Sequence, residues 1–170
     1  MKKSLVLCVV ALLAFGATAY AQKPLKLGHI NSAELLQIMP GRDSAQSKFQ
    51  KEMETLENQL KAMQEELQKK YNDYMEKQSQ MSDLIRQTKE QEIRDLGTRI
   101  EAYQQNAQQQ LQEKEKELLQ PIIDRAKQAI NDVAKEQGYS YVFDSSVGAL
   151  LYQQDSDDLF PLVKKKLGLK

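Results

Sequence analysis

Apolar side chains in the first long polar stretch fall at Phe49, Met53, Leu56, Leu60, Met63 and Leu67, in steps of 4, 3, 4, 3 and 4. Such alternation keeps one stripe of a helix turned toward a partner, and it predicts a coiled-coil seam. The stripe continues through Tyr71, Tyr74 and Met81, and the step of 4 from Leu67 to Tyr71 predicts a locally unwound supercoil there. A second seam follows at Ile93, Leu96, Ile100, Tyr103, Ala107 and Leu111. Two seams in succession predict a long antiparallel coiled-coil helical hairpin over residues 44–120, with its turn between Ser79 and Thr88. Thr88-Lys89-Glu90-Gln91 matches a capping box for the second helix, and Arg42-Asp43-Ser44 after Pro40-Gly41 supplies the start of the first. The first helix would reach about 55 Å at 1.5 Å per residue.

Helical spacing in the second helix persists through Leu118, Ile122, Ala126, Ile130 and Val133 to a stop at Gln137-Gly138. Pro121 lies inside it, where a missing amide and a crowded carbonyl predict a hinge at the root of the hairpin. Three short segments read as strands, at 25–30, 139–143 and 149–153, the last two joined as a hairpin across Ser145-Ser146-Val147-Gly148. Asp155-Ser156-Asp157-Asp158 then caps a short helix carrying Leu159, Phe160, Leu162, Val163 and Leu167. The expected fold class is α+β, mainly α: a small β-body from 22–43 and 121–170 bearing the hairpin. Three strands, two helix ends and one short helix are too few to bury a core alone, so the body should complete itself by joining copies. Leu27, Ile30, Tyr141, Val142, Phe143, Leu150 and Tyr152 are the strand residues expected to do so.

The N-terminus changes the compartment. Lys2 and Lys3, an apolar run from Leu5 to Phe15, and Ala19-Tyr20-Ala21 form the three regions of a secretory signal peptide over 1–21. Cleavage would leave a mature chain from Gln22 without a cysteine, because Cys8 is the sole cysteine of the sequence. The apolar run is short for a membrane anchor and polar sequence follows it, so no stable membrane insertion is expected after cleavage.

Composition then removes function classes. Over the whole chain 24 Lys+Arg balance 24 Asp+Glu; losing two lysines with the signal gives 22 − 24 = −2, which is no footprint for nucleic acid. The lone His29 lies in a strand-like stretch without cysteine or clustered acids, and reads as structural rather than as a ligand. There is no Gly-rich phosphate loop and no G-x-S-x-G, so neither an enzyme nor a cofactor or metal site is expected. The 22 glutamines and 28% charged residues leave little apolar material for a sphere and favour an elongated helical protein.

The strand Lys26-Leu27-Gly28-His29-Ile30-Asn31, the long Gln/Glu/Lys hairpin, and the ending Tyr141-Val142-Phe143-Asp144 to Leu151-Tyr152 to Asp155-Ser156-Asp157-Asp158-Leu159 together resemble the Skp (OmpH) family of periplasmic chaperones. The resemblance covers essentially the whole mature chain, and the strand motifs carry most of its specificity. It implies a homotrimer in which strands of three subunits make the body and three hairpins project like tentacles around a cavity. It implies a periplasmic location and, as partners, unfolded outer-membrane proteins held without ATP. The best-known family members are strongly basic, whereas residues 44–120 carry 12 Lys+Arg against 15 Asp+Glu; no lipopolysaccharide or anionic-membrane site is therefore carried over. Lys69, Lys70, Lys77, Arg86 and Lys89 read as a solvated helix face.

A β-barrel precursor without lipid aggregates through its alternating apolar residues unless its segments are kept apart. Many weak contacts from adaptable side chains serve that purpose, and methionine suits it. Tyr71, Tyr74, Met75, Met81, Leu84 and Ile85 are the candidate client contacts, and each also fits as a seam residue of the hairpin's own core. The competing reading is a periplasmic coiled-coil scaffold or adaptor without unfolded clients, which would keep its apolar residues in its own seam.

Overall fold

The computed structural model describes residues 25–169, and the expected signal peptide lies outside them. In chain order the elements are β1 (Leu27–Ile30), α1 (Ser32–Gln37), α2 (Arg42–Lys77), α3 (Asp83–Glu136), β2 (Tyr141–Asp144) and α4 (Phe160–Lys166). The molecule is mainly helical, with one pair of short strands. The two long helices have 36 and 54 residues; at 1.5 Å per residue they extend about 54 Å and 81 Å.

Each boundary has a local cause. Helix α1 was not expected from periodicity, yet Asn31 accepts a hydrogen bond from the Glu34 amide at 3.0 Å, the arrangement of an N-terminal cap. Helix α2 begins as expected after Pro40-Gly41, but without a side-chain cap: Gly41 turns the chain with a left-handed φ of 92°. Between the long helices, a 3₁₀ turn at Gln78–Gln80 and extended Met81 reverse the chain. Helix α3 then starts at Asp83, ahead of the expected Thr88, because the Ser82 hydroxyl already accepts from the Ile85 amide. Thr88 lies inside the helix, its hydroxyl bound to the Leu84 carbonyl at 2.9 Å. Pro121 does not divide α3; the helix runs through it, and the proline ring is exposed. At the far end the Tyr139 amide reaches the Ala134 carbonyl and the Gly138 amide the Lys135 carbonyl, with Gly138 at φ 71°. That pair of bonds is a Schellman stop.

The strands depart furthest from expectation. β2 pairs in parallel with β1, Leu27 opposite Tyr141 and Ile30 opposite Asp144, so the expected hairpin of 139–143 with 149–153 is absent. Residues Ala149–Gln153 form no strand; Leu151 is fully exposed and Leu150 half-buried. Two features divert the chain. Asp144 accepts the amides of Ser32 (3.2 Å) and Ser146 (2.9 Å), which locks a 3₁₀ turn at Ser145–Val147 onto the start of α1. The other edge of β1 is taken by the returning chain, where His29 bridges Asp158 and its carbonyl accepts the Leu159 amide at 2.9 Å.

The body does have a core of its own, which corrects the expectation that its pieces are too few to make one. Ile30, Leu35, Met39 and Ala45 meet Ile122, Ala126, Ala129 and Val133 of α3 and Leu159 and Val163 of the C-terminal segment. Helix α1 and Met39 supply what the sequence pattern did not show. Positions 122, 126, 129 and 133 advance by 4, 3 and 4, so α3 turns one apolar stripe to the body over its last turns.

Two substitutions probe this packing. A Cβ on Gly28 would collide with Leu159 Cδ1 and stand 2.7 Å from Tyr139 Cε1; Gly28→Ala should destabilise the protein by about 1–3 kcal/mol in denaturant unfolding. Burial pushes the Asp144 carboxyl up, but hydrogen bonds from the Ser32 and Ser146 hydroxyls and amides outweigh it and hold the group at about 2. A folded-state pKa below the ordinary value contributes stability that is present above about pH 4–5 and lost as pH falls toward 2. Asp144→Asn should therefore cost about 2 kcal/mol at pH 7, with the difference from wild type vanishing near pH 2, as read by urea unfolding across that range.

Candidate functional site

Two exposed apolar surfaces stand out, one at the far end of the long helices and one on the body. The helices α2 and α3 lie side by side with residue numbers running in opposite senses. Tyr103 reaches the Leu56 carbonyl at 3.3 Å, Gln110 reaches Glu52, Lys70 reaches Glu92 at 3.4 Å, and Tyr74 donates to Glu90 at 2.6 Å. Leu56, Leu96 and Ile100 are buried between them. On α2 the shielded row is Phe49, Met53, Leu56, Leu60, Met63, Leu67, Lys70 and Tyr74. The step after Leu67 is therefore 3, to Lys70, and the alternation continues without the expected unwinding. Following apolar residues alone led to Tyr71, which points away from the seam and is 47% exposed.

The six candidate contacts divide accordingly. Tyr71, Met75, Leu84 and Ile85 are exposed, and Leu84 is 75% so. Tyr74 and Met81 are half-buried. The exposed four lie on either side of the turn at Gln78–Gln80, within the last turns of α2 and the first of α3. Ser82 caps α3 so that Leu84 and Ile85 fall in its first turn, where neither reaches back into the seam.

Polar groups hold the seam at this end. Lys70 lies between Glu66 on its own helix (3.9 Å) and Glu92 across the pair, and Lys89 also bonds Glu92, at 3.0 Å. The hydrogen bond from Lys89 holds the Glu92 carboxyl below its ordinary range. The hydrogen bond that Tyr74 donates to Glu90 pushes its phenol up. Sequence reasoning missed Lys70, Glu90 and Glu92 as seam positions; the 3-4 spacing carried forward from Leu67 finds Lys70, and carried back from Ile93 and Leu96 it finds Glu90 and Glu92.

On the body, β1 and β2 turn Leu27, Tyr141 and Phe143 outward, all between 45% and 59% exposed. The opposite face carries Ile30, buried, and Val142, packed against the core. These two expected interface residues thus belong to the chain's own core. Val147, Leu151 and Tyr152 extend the exposed apolar surface beyond the sheet. The outer edge of β2 has no strand beside it among the described residues. His29 is buried, its Nε2 2.9 Å from the Gln154 carbonyl, which fixes the returning segment over β1. Among the described residues no group of three or more His, Cys, Asp or Glu is placed to hold a metal ion, and no helix is long and apolar enough to cross a membrane.

Comparison with known proteins agrees with this architecture. The chaperone protein Skp of Pectobacterium atrosepticum is 26% identical over 95% of this chain and 97% of its own, and that of Photorhabdus luminescens is 26% identical over 98% and 99%. A solved structure from Caulobacter crescentus CB15, described as an OmpH-like outer membrane chaperone, superposes with a TM-score of 0.72 over 86% of each chain at 12% identity. It shares the fold. The model of the outer membrane protein (OmpH-like) family matches residues 26–167, and the chain belongs to that family.

Proposed function

We propose that this protein is an ATP-independent periplasmic holdase that keeps unfolded outer-membrane proteins from aggregating. The observation that carries this reading is the group of four exposed apolar side chains, Tyr71, Met75, Leu84 and Ile85, at the end of a helix pair that stands tens of ångströms from the body. A scaffold would have no use for a group of uncovered apolar side chains at the end of a rod, where they raise the protein's own tendency to aggregate. Family membership and relatives named as Skp chaperones support the same reading. Contacts of this kind are non-directional, so they hold a chain that has no fixed shape and release it without chemistry.

The assembly we propose is a trimer joined at the bodies, each chain contributing an antiparallel coiled-coil tentacle. Leu27, Tyr141 and Phe143 form an apolar sheet face that a single chain leaves open, and the free edge of β2 accepts a strand. The extended segment Ala149–Gln153, with Leu150 and Tyr152, finds no partner strand in its own chain and would supply that strand to a neighbour. Three hairpins then surround a cavity in which one client is kept from meeting another. With 12 basic and 15 acidic residues in 44–120, capture rests on apolar contact and confinement rather than on attraction to acidic clients.

Two experiments test these readings. The mature protein, diluted with a urea-denatured outer-membrane β-barrel at one trimer per client, should suppress light scattering by the client. Leu84→Ser with Ile85→Ser should weaken that suppression several-fold while leaving the fold intact by circular dichroism; no suppression by the folded wild type would favour the scaffold. Phe143→Asp should convert the assembly from three chains to one in light-scattering mass, because a charge placed at a buried apolar contact lacks a partner. A variant still at three chains would place the interface elsewhere.

A further inference from the structure

The hairpin is not held in the same way along its length. From Phe49 to Leu67 its seam on the first long helix is apolar, and it buries Leu56, Leu96 and Ile100 along the middle of the rod. Beyond Leu67 and Ile93 the seam positions are Lys70 and Tyr74 of α2 and Gln78 of the turn, facing Arg86, Glu90 and Glu92 of α3, so groups with polar ends replace the aliphatic ones nearer the body. The bonds that cross this region are Lys70 to Glu92 at 3.4 Å and Tyr74 to Glu90 at 2.6 Å. The charged side chains of the Lys70 and Glu92 pair are 36% and 39% exposed.

Of these bonds only Lys70 to Glu92 is an ion pair; exposed, it contributes about 0–1 kcal/mol, and its range of action contracts from roughly 8 Å at physiological salt to 3 Å at 1 M. The helical pieces that the two bonds join, from Leu67 to Lys77 and from Asp83 to Ile93, are shorter than the 12 or more residues that an isolated helix needs to be even marginally stable in water. They persist as helices by continuity with the base and by leaning on each other. Screening this one ionic cross-link therefore loosens the far end while the apolar seam nearer the body stays closed.

We infer that the far end of the hairpin is a salt-sensitive clasp whose parting bares a second, inner apolar surface, formed by Leu67, Tyr74, Met81 and Ile93, for an apolar segment of an unfolded polypeptide. Closed, the end offers Tyr71, Met75, Leu84 and Ile85 on its outside. Open, the inner four join them, and a chain threaded between the helices replaces the contacts they made with each other. Placing Lys70 at a seam position, rather than another leucine, keeps this surface available: Leu would seal it as Leu56 seals the middle of the rod. The role of the inner surface in holding clients rests on the holdase reading; the opening itself does not.

The test uses the mature protein, whose lack of cysteine lets introduced cysteines carry the only labels. Spin labels at Glu76→Cys with Thr88→Cys report the far end, and at Glu54→Cys with Gln108→Cys the base; all four positions are exposed and outside the cross-links named above. Between 0.05 M and 1 M NaCl the far-end distance distribution should broaden roughly twofold and the base distribution should not change. Lys70→Leu should abolish the broadening, and the uncharged dye Nile red should gain fluorescence with salt on wild type but not on this variant. Equal distributions at both salts, or broadening at both positions together, would overturn the clasp. Binding of a denatured outer-membrane β-barrel should fall several-fold in Lys70→Leu; undiminished binding would exclude the inner surface from client contact. A wild type that opens with salt yet binds no client at any salt would remove the holdase reading and leave the clasp standing.

Discussion

The structure depends on one helix having two jobs. The last turns of α3 present Ile122, Ala126, Ala129 and Val133 to the body core, while Leu96 and Ile100, earlier in the same helix, close the middle of the hairpin. A pair of helices can bury only a narrow stripe along each, and here most of that stripe is only half-buried. Anchoring one end of α3 in a core made by β1, α1 and α4 supplies the missing burial. The rod is held at its foot, and its seam changes from apolar to polar toward the tip.

That gradient connects packing to function. A fully apolar seam would make the hairpin a stiff spacer, with nothing to offer a client except its outer surface. A wholly polar one would not stay helical. The arrangement seen here, apolar near the body and ionic near the turn, keeps the rod upright while leaving apolar side chains at its end in contact with water. Exposed tyrosine, methionine, leucine and isoleucine at one place on an otherwise polar hairpin are a liability in a protein with no partner, and an asset in one that holds unfolded chains.

Much of this was legible from spacing. The 3-4 alternation located both long helices, and Gly138 after Gln137 marked the end of α3, because seam packing and helix stops are local matters of period and backbone conformation. The polar half of the seam was not legible by following apolar residues, since Lys70 occupies a seam position by burying its stem while its ammonium reaches Glu92. Helix α1 escaped because six residues are too few to show a period, although Asn31 and Glu34 carry its cap. The strand at 149–153 was read from a short apolar run beyond a turn, but a strand needs a free edge to pair with, and β1 gives its own to Asp158 instead. Val142 and Ile30 read as interface residues for a related reason: two strands have two faces, and which one meets the core is set by α1 and α3, far away in sequence.

A rod anchored by the core at the foot of α3 should lose order toward the turn. Amide hydrogen exchange of the native mature protein, followed residue by residue, tests it most directly. Protection should be greatest over Ile122–Val133, intermediate around Leu56 and Leu96 to Ile100, and lowest from Lys70 through the turn to Glu92. Uniform protection along the whole hairpin, or a tip that outlasts the foot, would contradict it.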